Sequence, residues 1–256
     1  MMQQFLALTF NGFREARRNR VTVVVGAFAL GLLVASTLLT NLSISTFDRV
    51  LTDFGIGIMS IVLVMLAIFL SSGMLAREIE RKTLFLIISK PISRALFLCA
   101  RFAGNMLTLG VLQVLMGVLF IGEVALYGTF TTEAQFVAIG MLFFELLVLS
   151  SIGFAMSSFS SQMVSATVTV GAYFAGHLSG DIYELSNKSE SPLLQWVGKA
   201  VYYALPNLSR LNYRVQASYE LPTPLSELLP HMLYAVGYST VMIVIAITLF
   251  SRRDFK

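Results

Sequence analysis

Residues 77–84 read Arg77-Glu78-Ile79-Glu80-Arg81-Lys82-Thr83-Leu84, and the polar stretch continues to Ser89-Lys90-Pro91-Ile92-Ser93-Arg94. Long apolar runs flank this stretch, in which acids and bases crowd together. Charges of both signs form specific pairs with a partner surface, whereas membrane anchoring needs only Lys and Arg. The stretch therefore predicts a docking surface beside a membrane. Plain positive-inside anchoring is the alternative, and Glu78 and Glu80 count against it.

The composition places the chain in a bilayer. Of its 256 residues, 56% are hydrophobic and 12% are charged, and the mean hydropathy is +0.78, which is too apolar for a soluble domain. The net charge of +4 does not indicate nucleic-acid binding, because the basic residues lie beside apolar runs rather than along one soluble face.

The sequence shows no motif for catalysis, metal binding or nucleotide binding. Cys99 is the single cysteine, so no intrachain disulfide forms, and no ligand cluster indicates a metal. Gly198-Lys199 lacks the upstream glycine of a phosphate loop, and no nucleophile elbow or pair of catalytic acids is found. We therefore predict no catalytic residue, no metal and no nucleotide site in this chain.

Six apolar runs have roughly the 17–25 residues that a membrane span requires. They lie at 21–44, 56–76, 102–127, 136–157, 163–180 and 231–250. Thirteen Lys and Arg residues fall on the side of the termini and of the 77–101 loop, and five fall on the other side. By the positive-inside rule both termini and that loop are cytoplasmic. The prediction is an all-α membrane protein with one transmembrane domain over residues 1–256.

The N-terminal segment, residues 1–20, has Phe5, Thr9 and Phe13 at helical spacing, with Arg14 on the other side. This pattern favours a helix lying on the cytoplasmic membrane surface. A basic flank without fixed structure is the alternative. No cleavage-type sequence follows the arginines, so we expect the first span to remain in the mature protein.

The third span has its own start signals. Pro91 disfavours helix at Lys90, and Ser93 is placed to cap the helix that follows. Arg94 and Arg101 lie two turns apart on that helix, where we expect both to hold it at the cytoplasmic headgroups.

Residues 181–230 form the long external segment, which is too long for a plain turn. Apolar positions keep helical spacing between Pro192 and Pro206, which predicts a helix dipping into the outer leaflet. Its aromatic residues suited to the interface are Trp196, Tyr202 and Tyr203. Pro206 is expected to end this helix, and a second, shorter helix is expected within 207–220.

Polar and small residues inside spans are the remaining candidates. Ala172, Gly176 and Gly180 lie four apart and either let another helix approach closely or loosen the outer end of their helix. Glu145 is the one acid near the middle of a span, where a charge costs about 2.5–3.5 kcal/mol. It is either a pathway residue or a protonated carboxyl bonded to a neighbouring helix, and we find no intramembrane base for it. His177 and His231 are interpreted as isolated polar residues at span ends.

At the polar stretch the sequence resembles the ABC-2 type permeases, the membrane subunits of exporter-like ATP-binding-cassette transporters. The resemblance is strongest to the branch related to copper-enzyme-maturation permeases. The residues that carry it are Glu78-x-Glu80-Arg81-Lys82-Thr83-Leu84, Pro91-Ile92-Ser93-Arg94, Pro206-Asn207-Leu208 and Leu211-Asn212. The family has Gly before Thr-Leu, whereas Lys82 stands here.

The resemblance implies a six-span half-transporter with an N-terminal interfacial helix, a coupling helix between spans two and three, and short external helices before span six. Two chains, identical or paralogous, would pair around a central route among membrane lipids. Each would dock a separate ATPase, which supplies the ATP and Mg²⁺ sites. The implied location is a bacterial inner membrane. The coupling residues would be Glu78, Glu80, Arg81, Thr83, Leu84, Pro91 and Arg94, and the external gate would include Trp196, Tyr202, Tyr203, Pro206 and Asn207.

Two other functions fit part of the sequence. An independent carrier would use Glu145 as its ion or proton site, although the inverted pair of broken helices common in carriers is not evident. A non-transporting membrane anchor would recruit a cytoplasmic ATPase through residues 77–94 and transmit a mechanical signal. Nucleotide-dependent movement of a substrate, possible only for the exporter, separates these readings. An apolar route would suit a lipid-like substrate.

Overall fold

The computed structural model describes residues 2–17, 21–40, 47–80, 93–127, 131–189 and 191–252. These residues form nine α-helices and one 3₁₀ turn, without a strand among them, which confirms the all-α class. The elements are α1 (Met2–Arg17), α2 (Val21–Thr40), α3 (Phe47–Glu80), α4 (Arg94–Leu126), α5 (Glu133–Ser157), α6 (Gln162–Asn187), α7 (Pro192–Ala204), the 3₁₀ turn (Leu208–Leu211), α8 (Arg214–Ser218) and α9 (Leu225–Arg252).

The chain is an integral membrane protein, since four of its described helical stretches are long and apolar enough to cross a bilayer. They are Phe47–Gly73, Arg94–Leu126, Glu133–Ser157 and Leu225–Ser251. Helix α2 contributes a shorter apolar stretch, Val23–Leu38. Helix α6 is long but more polar. The six-span arrangement therefore stays a prediction.

The helices extend beyond the predicted apolar runs. Helix α3 has 34 residues and α4 has 33, which at about 1.5 Å per residue makes each about 50 Å long. The hydrocarbon core is only about 30 Å thick. Both helices therefore project out of the bilayer. The last turns of α3 and the first turns of α4 are among the projecting parts. We call this region the loop end, because residues 81–92 join the two helices there.

Two boundaries differ from the predicted spans. Helix α6 continues to Asn187, past Gly180, so the small residues do not end it. Helix α9 begins at Leu225 and contains Pro230 in its interior. Proline removes only one backbone hydrogen bond, and membrane helices tolerate this where neighbouring groups satisfy the freed carbonyl.

Small residues bring the central helices together. The side chains of Met59 and Leu63 of α3, Leu112 of α4 and Leu149 of α5 are fully buried where these helices meet. Lipid tails are as apolar as leucine, so close packing rather than water exclusion holds such helices together. A Cβ atom built on Gly153 of α5 would lie 2.2 Å from Ser71 Oγ of α3. Any larger residue at this position would force the Ser71 side chain to move.

Helix α1 docks on the first turns of α4. Thr9 Oγ1 donates a hydrogen bond to the Ala100 carbonyl at 3.3 Å. A Cβ atom on Gly104 would come within 2.8 Å of the Thr9 carbonyl oxygen, so glycine is needed there for the close approach. Leu6 and Phe10 lie on the exposed side of α1. The predicted helix is confirmed, while its position at the membrane surface stays a prediction.

Candidate functional site

Most of the predicted docking residues lie outside the described part of the chain. Helix α3 includes Glu78 and Glu80, whose side chains are not described. Outside the described residues altogether are Arg81, Thr83, Leu84 and Pro91.

Helix α4 begins as predicted from the sequence. The Ser93 side chain accepts a hydrogen bond from the Leu96 backbone N–H at 3.3 Å, which caps the helix. Arg94 Nη1 donates to the Ser251 carbonyl at 2.9 Å, in the last turn of α9. A cation at a helix C-terminus is favoured by the helix dipole. Arg94 thus ties the start of α4 to the end of α9.

From its spacing to Arg94, we expected Arg101 to lie at the lipid headgroups. It does not. Its side chain is buried and its guanidinium lies 5.7 Å from the centre of the Phe97 ring. The expectation was wrong because α1 covers this side of α4. Together with the apolar cluster of Phe97, Leu98, Phe154 and Phe250, these contacts join α1, α4, α5 and α9 at the loop end.

At the opposite end of the bundle, helix α7 packs antiparallel along the last turns of α6. The proline pattern predicted this helix, which has Pro192 in its first turn and ends before Pro206. Gly198 packs on Ser186 of α6 so closely that a Cβ atom would overlap the hydroxyl. The Tyr202 ring lies 4.6 Å from the Tyr183 ring, measured between centroids, and its hydroxyl accepts a hydrogen bond from Arg210. Trp196 and Tyr203, two of the predicted gate residues, point outwards and are exposed.

Residues 205–219, which we call the connector, enter the bundle instead of lying over it. The second short helix predicted here is present as the 3₁₀ turn followed by α8. Leu208, Leu211 and Ala217 are buried. The Asn207 backbone N–H donates to Tyr234 Oη of α9 at 2.9 Å, and Pro206 and Asn207 are buried too.

Gly176 makes room for the connector rather than for another spanning helix. A Cβ atom on Gly176 would lie 2.7 Å from the Pro206 carbonyl oxygen and 2.8 Å from Leu208 Cγ. Gly180 lies farther along the same contact, with its Cβ position 3.5 Å from Ser209 Oγ. Ala172 is half-buried and packs against the core.

An ion pair fixes the connector to α3. Arg214 Nε lies 2.8 Å from Asp53 Oδ1, and both side chains are a little under half exposed. A Cβ atom on Gly57 would lie 3.0 Å from Arg214 Nη1, so this glycine leaves room for the guanidinium on the surface of α3. The pair is therefore built against the helix backbone.

Glu145 has a basic partner, which the sequence interpretation missed. His177 Nε2 lies 3.0 Å from Glu145 Oε1, and the exposed fractions of the two side chains are 22% and 3%. The Tyr173 ring packs on the imidazole with 4.7 Å between centroids. Reading His177 as isolated was wrong. The two residues are 32 positions apart, and only the packing of α5 against α6 brings them together.

His231 is not isolated either. Its Nδ1 lies 2.8 Å from the hydroxyl oxygen of Tyr213, in the connector. Burial, with a further contribution from the charge of Glu227, raises the pKa of Tyr213 above its usual value. The hydroxyl therefore stays protonated at neutral pH. This bond is a second side-chain link between the connector and α9, beside that of Asn207.

A small polar cavity lies where the connector covers the spans. Its volume is about 60 Å³. Its polar lining side chains are Ser60, Glu145, Tyr173, Asn212, Tyr213 and Arg214. A cavity of this size and polarity has room for about two water molecules. We call these residues, with Asp53 and His177, the polar centre.

Two larger grooves run along the outside of the described spans. The groove between α3 and α6 has a volume of about 610 Å³ and is lined by Met65, Ile68, Phe69, Ser161, Gln162, Met163, Ala166, Thr167 and Val170. The groove between α4 and α5, of about 940 Å³, is almost wholly apolar. The first groove combines apolar walls with polar groups at the start of α6.

The family model described as "ABC-2 family transporter protein" matches residues 7–255. The match covers almost the whole chain and includes both the polar stretch and the connector. No curated protein matches the chain. The narrower resemblance to the copper-enzyme-maturation branch stays a prediction.

Proposed function

Because the chain belongs to the ABC-2 family of transporter proteins, and is therefore a transmembrane permease, we propose that it couples ATP hydrolysis by a separate ATPase subunit to the export or extraction of a lipid-like substrate. ATP and Mg²⁺ bind the partner. Two permease chains, identical or paralogous, pair in a bacterial inner membrane. Both termini and the loop end face the cytoplasm.

The observation that carries the coupling proposal is the construction of the loop end. Helices α3 and α4 both lead into residues 81–92, and α4 is tied there to α1 through Thr9 and to α9 through Arg94. Movement of the loop is therefore passed to several helices at once. In the docked state Glu78, Glu80 and Arg81 pair with charges on the ATPase, while Thr83 and Leu84 supply an apolar contact and Pro91 sets the turn towards Arg94.

The exposed face of α6 supports a route or a second chain along this helix. Thr167 is exposed, and the Cβ position of Gly171 meets open space. The large exposed side chains of this helix are apolar, among them Val168, Phe174 and Leu178. The α3–α6 groove then takes the apolar part of the substrate. The connector closes the end beyond it through Pro206 and Asn207, with Trp196, Tyr202 and Tyr203 of α7 at the outer membrane surface.

Co-reconstitution with the ATPase that purifies with the tagged chain tests this function. We expect ATP-dependent movement of a fluorescent lipid in proteoliposomes, and Glu80→Arg should lower it about tenfold by placing like charges together. Glu184→Arg, at the exposed far end of α6, is the matched control and should keep full activity. Equal loss in both variants, or none in either, would contradict the assignment of Glu80.

The same assay separates the two alternatives. A bound ATPase without substrate movement would favour the membrane anchor. Movement without ATP or ATPase would favour an independent carrier. One observation favours the carrier. His177 lies beside Glu145 and is the partner base that a proton relay requires.

A further inference from the structure

The α3–α6 groove and the polar cavity lie along the same two helices. Ile61 of α3 lines the cavity, whereas Met65 and Phe69 line the groove. These three residues are four apart, so they form one stripe of α3, and all are more than half exposed. On α6, Val170 lines the groove and Tyr173 the cavity, three residues farther on. The two spaces are thus about one helical turn apart.

The two spaces differ in chemistry. Met65, Ile68, Phe69, Ala166 and Val170 give the groove apolar walls. The cavity instead presents carboxylate, hydroxyl, amide and guanidinium groups. A path that is apolar along its length and polar at its end fits an amphiphile, with the chain in the groove and the head group in the cavity.

The charges at the cavity favour a cationic head group. Asp53 and Arg214 neutralise each other across 2.8 Å. Glu145 is the remaining acid, and its described partner is an imidazole. An ionised Glu145 beside a neutral imidazole leaves one negative charge among the four groups, which one cation cancels. An anion would instead have to compete with Asp53 for Arg214 while lying beside Glu145.

The lining of the cavity selects among cations. Oxygen acceptors line it on Ser60, Glu145, Tyr173 and Asn212. A primary ammonium has three N–H donors to place on such oxygens. A trimethylammonium group has no N–H to donate.

We propose that the path between α3 and α6 binds an amphiphile with a primary ammonium head group, the ammonium contacting Glu145 in place of His177. This names the substrate class and so rests on the proposed function. Binding itself requires neither ATP nor the ATPase. The site can therefore be tested on the permease chain alone.

The test uses the full chain in phosphatidylcholine nanodiscs and a photoreactive dodecylammonium probe, with its trimethylammonium analogue as the matched ligand. We expect the primary ammonium to bind about tenfold or more tightly than the analogue, because only it donates charge-assisted hydrogen bonds to the site. Photolabelled peptides should map to α3 and α6. Equal binding of the two probes, or labelling confined to other helices, would overturn the proposal without any variant having to fold.

Variants then assign the contacts. Glu145→Gln should weaken the ammonium probe about tenfold and leave the trimethyl analogue unchanged. Glu123→Gln, at another buried acid in a span, should change neither. His177→Leu should tighten ammonium binding by removing the side chain that competes for Glu145, whereas loss of binding in this variant would contradict the exchange of His177 for the ammonium. Ala166→Phe should weaken both probes by filling the groove.

Competition distinguishes an amphiphile from a free amine. Methylammonium at the same concentration should not displace the probe, since it lacks the chain that fills the groove; displacement would overturn the amphiphile assignment. Selective ammonium binding without ATP-dependent lipid movement would overturn the proposed function and leave the site standing. Lipid movement that is unchanged in Glu145→Gln, together with equal binding of the two probes, would overturn the ammonium site and leave the proposed function standing.

Discussion

The loop end and the polar centre hold their helices together in different ways. At the loop end, Arg94 and Thr9 donate to backbone carbonyls of other helices, and an apolar cluster fills the space between them. At the polar centre, side chains pair with side chains, as in Arg214–Asp53 and Glu145–His177. A backbone carbonyl stays with its helix, whereas a paired side chain can change partners. Under the proposed function, the first region would transmit movement and the second would open.

The largest effect is expected where the connector meets α6. Gly176→Ala places a methyl group 2.7 Å from the Pro206 carbonyl oxygen, and such overpacking costs about 1–3 kcal/mol. We expect a lower Tm for the purified chain in detergent. Gly171→Ala on the same helix is the control, since its Cβ meets open space, and it should raise the Tm slightly by restricting the unfolded chain. Equal Tm values for the two variants would mean that the connector is not seated on α6.

The buried pair of the polar centre comes next. A double-mutant cycle with Glu145→Leu and His177→Leu should give a coupling free energy of about 1 kcal/mol, in the range of a hydrogen bond between side chains. Thermal unfolding of the four proteins at low and high salt measures it. Because Glu145 is buried, added salt should leave the coupling nearly unchanged. Additive Tm changes would contradict the pairing.

The half-exposed pair should behave differently. A cycle with Asp53→Asn and Arg214→Gln is expected to give only about 0.2–1 kcal/mol, because water screens charges that are this exposed. Added salt should reduce this coupling further. A coupling as large and as salt-resistant as that of Glu145 and His177 would show that the connector is held by both pairs alike.

The smallest change in stability is expected at the loop end. Arg94→Ala removes one hydrogen bond to the Ser251 carbonyl at an exposed helix end, which should cost about 0.5 kcal/mol. The reconstituted complex should nevertheless lose ATP-dependent transport more than it loses stability, because the polar link between α4 and α9 is lost while their apolar contact remains. Arg94→Lys keeps the charge and should retain part of the activity. Full transport in Arg94→Ala would show that this contact has no mechanical role.

Local signals in the sequence determined a large part of the fold. Apolar runs established a helical membrane protein, Ser93 marked the start of α4, and Pro192 and Pro206 bracketed α7. The spacing of Phe5, Thr9 and Phe13 predicted that α1 is a helix, but it did not predict that α1 docks on α4. These features depend on hydropathy, capping and periodicity, which act over a few residues and are therefore visible in one chain.

Only the tertiary structure decided which polar groups meet. Glu145 pairs with a base 32 residues away, Arg214 pairs with Asp53, 161 residues away, and Gly176 contacts the connector instead of another spanning helix. Each contact depends on the register and rotation of packed helices, to which every intervening residue contributes. A charge or a glycine in the sequence shows that a partner is needed, and helix packing selects that partner.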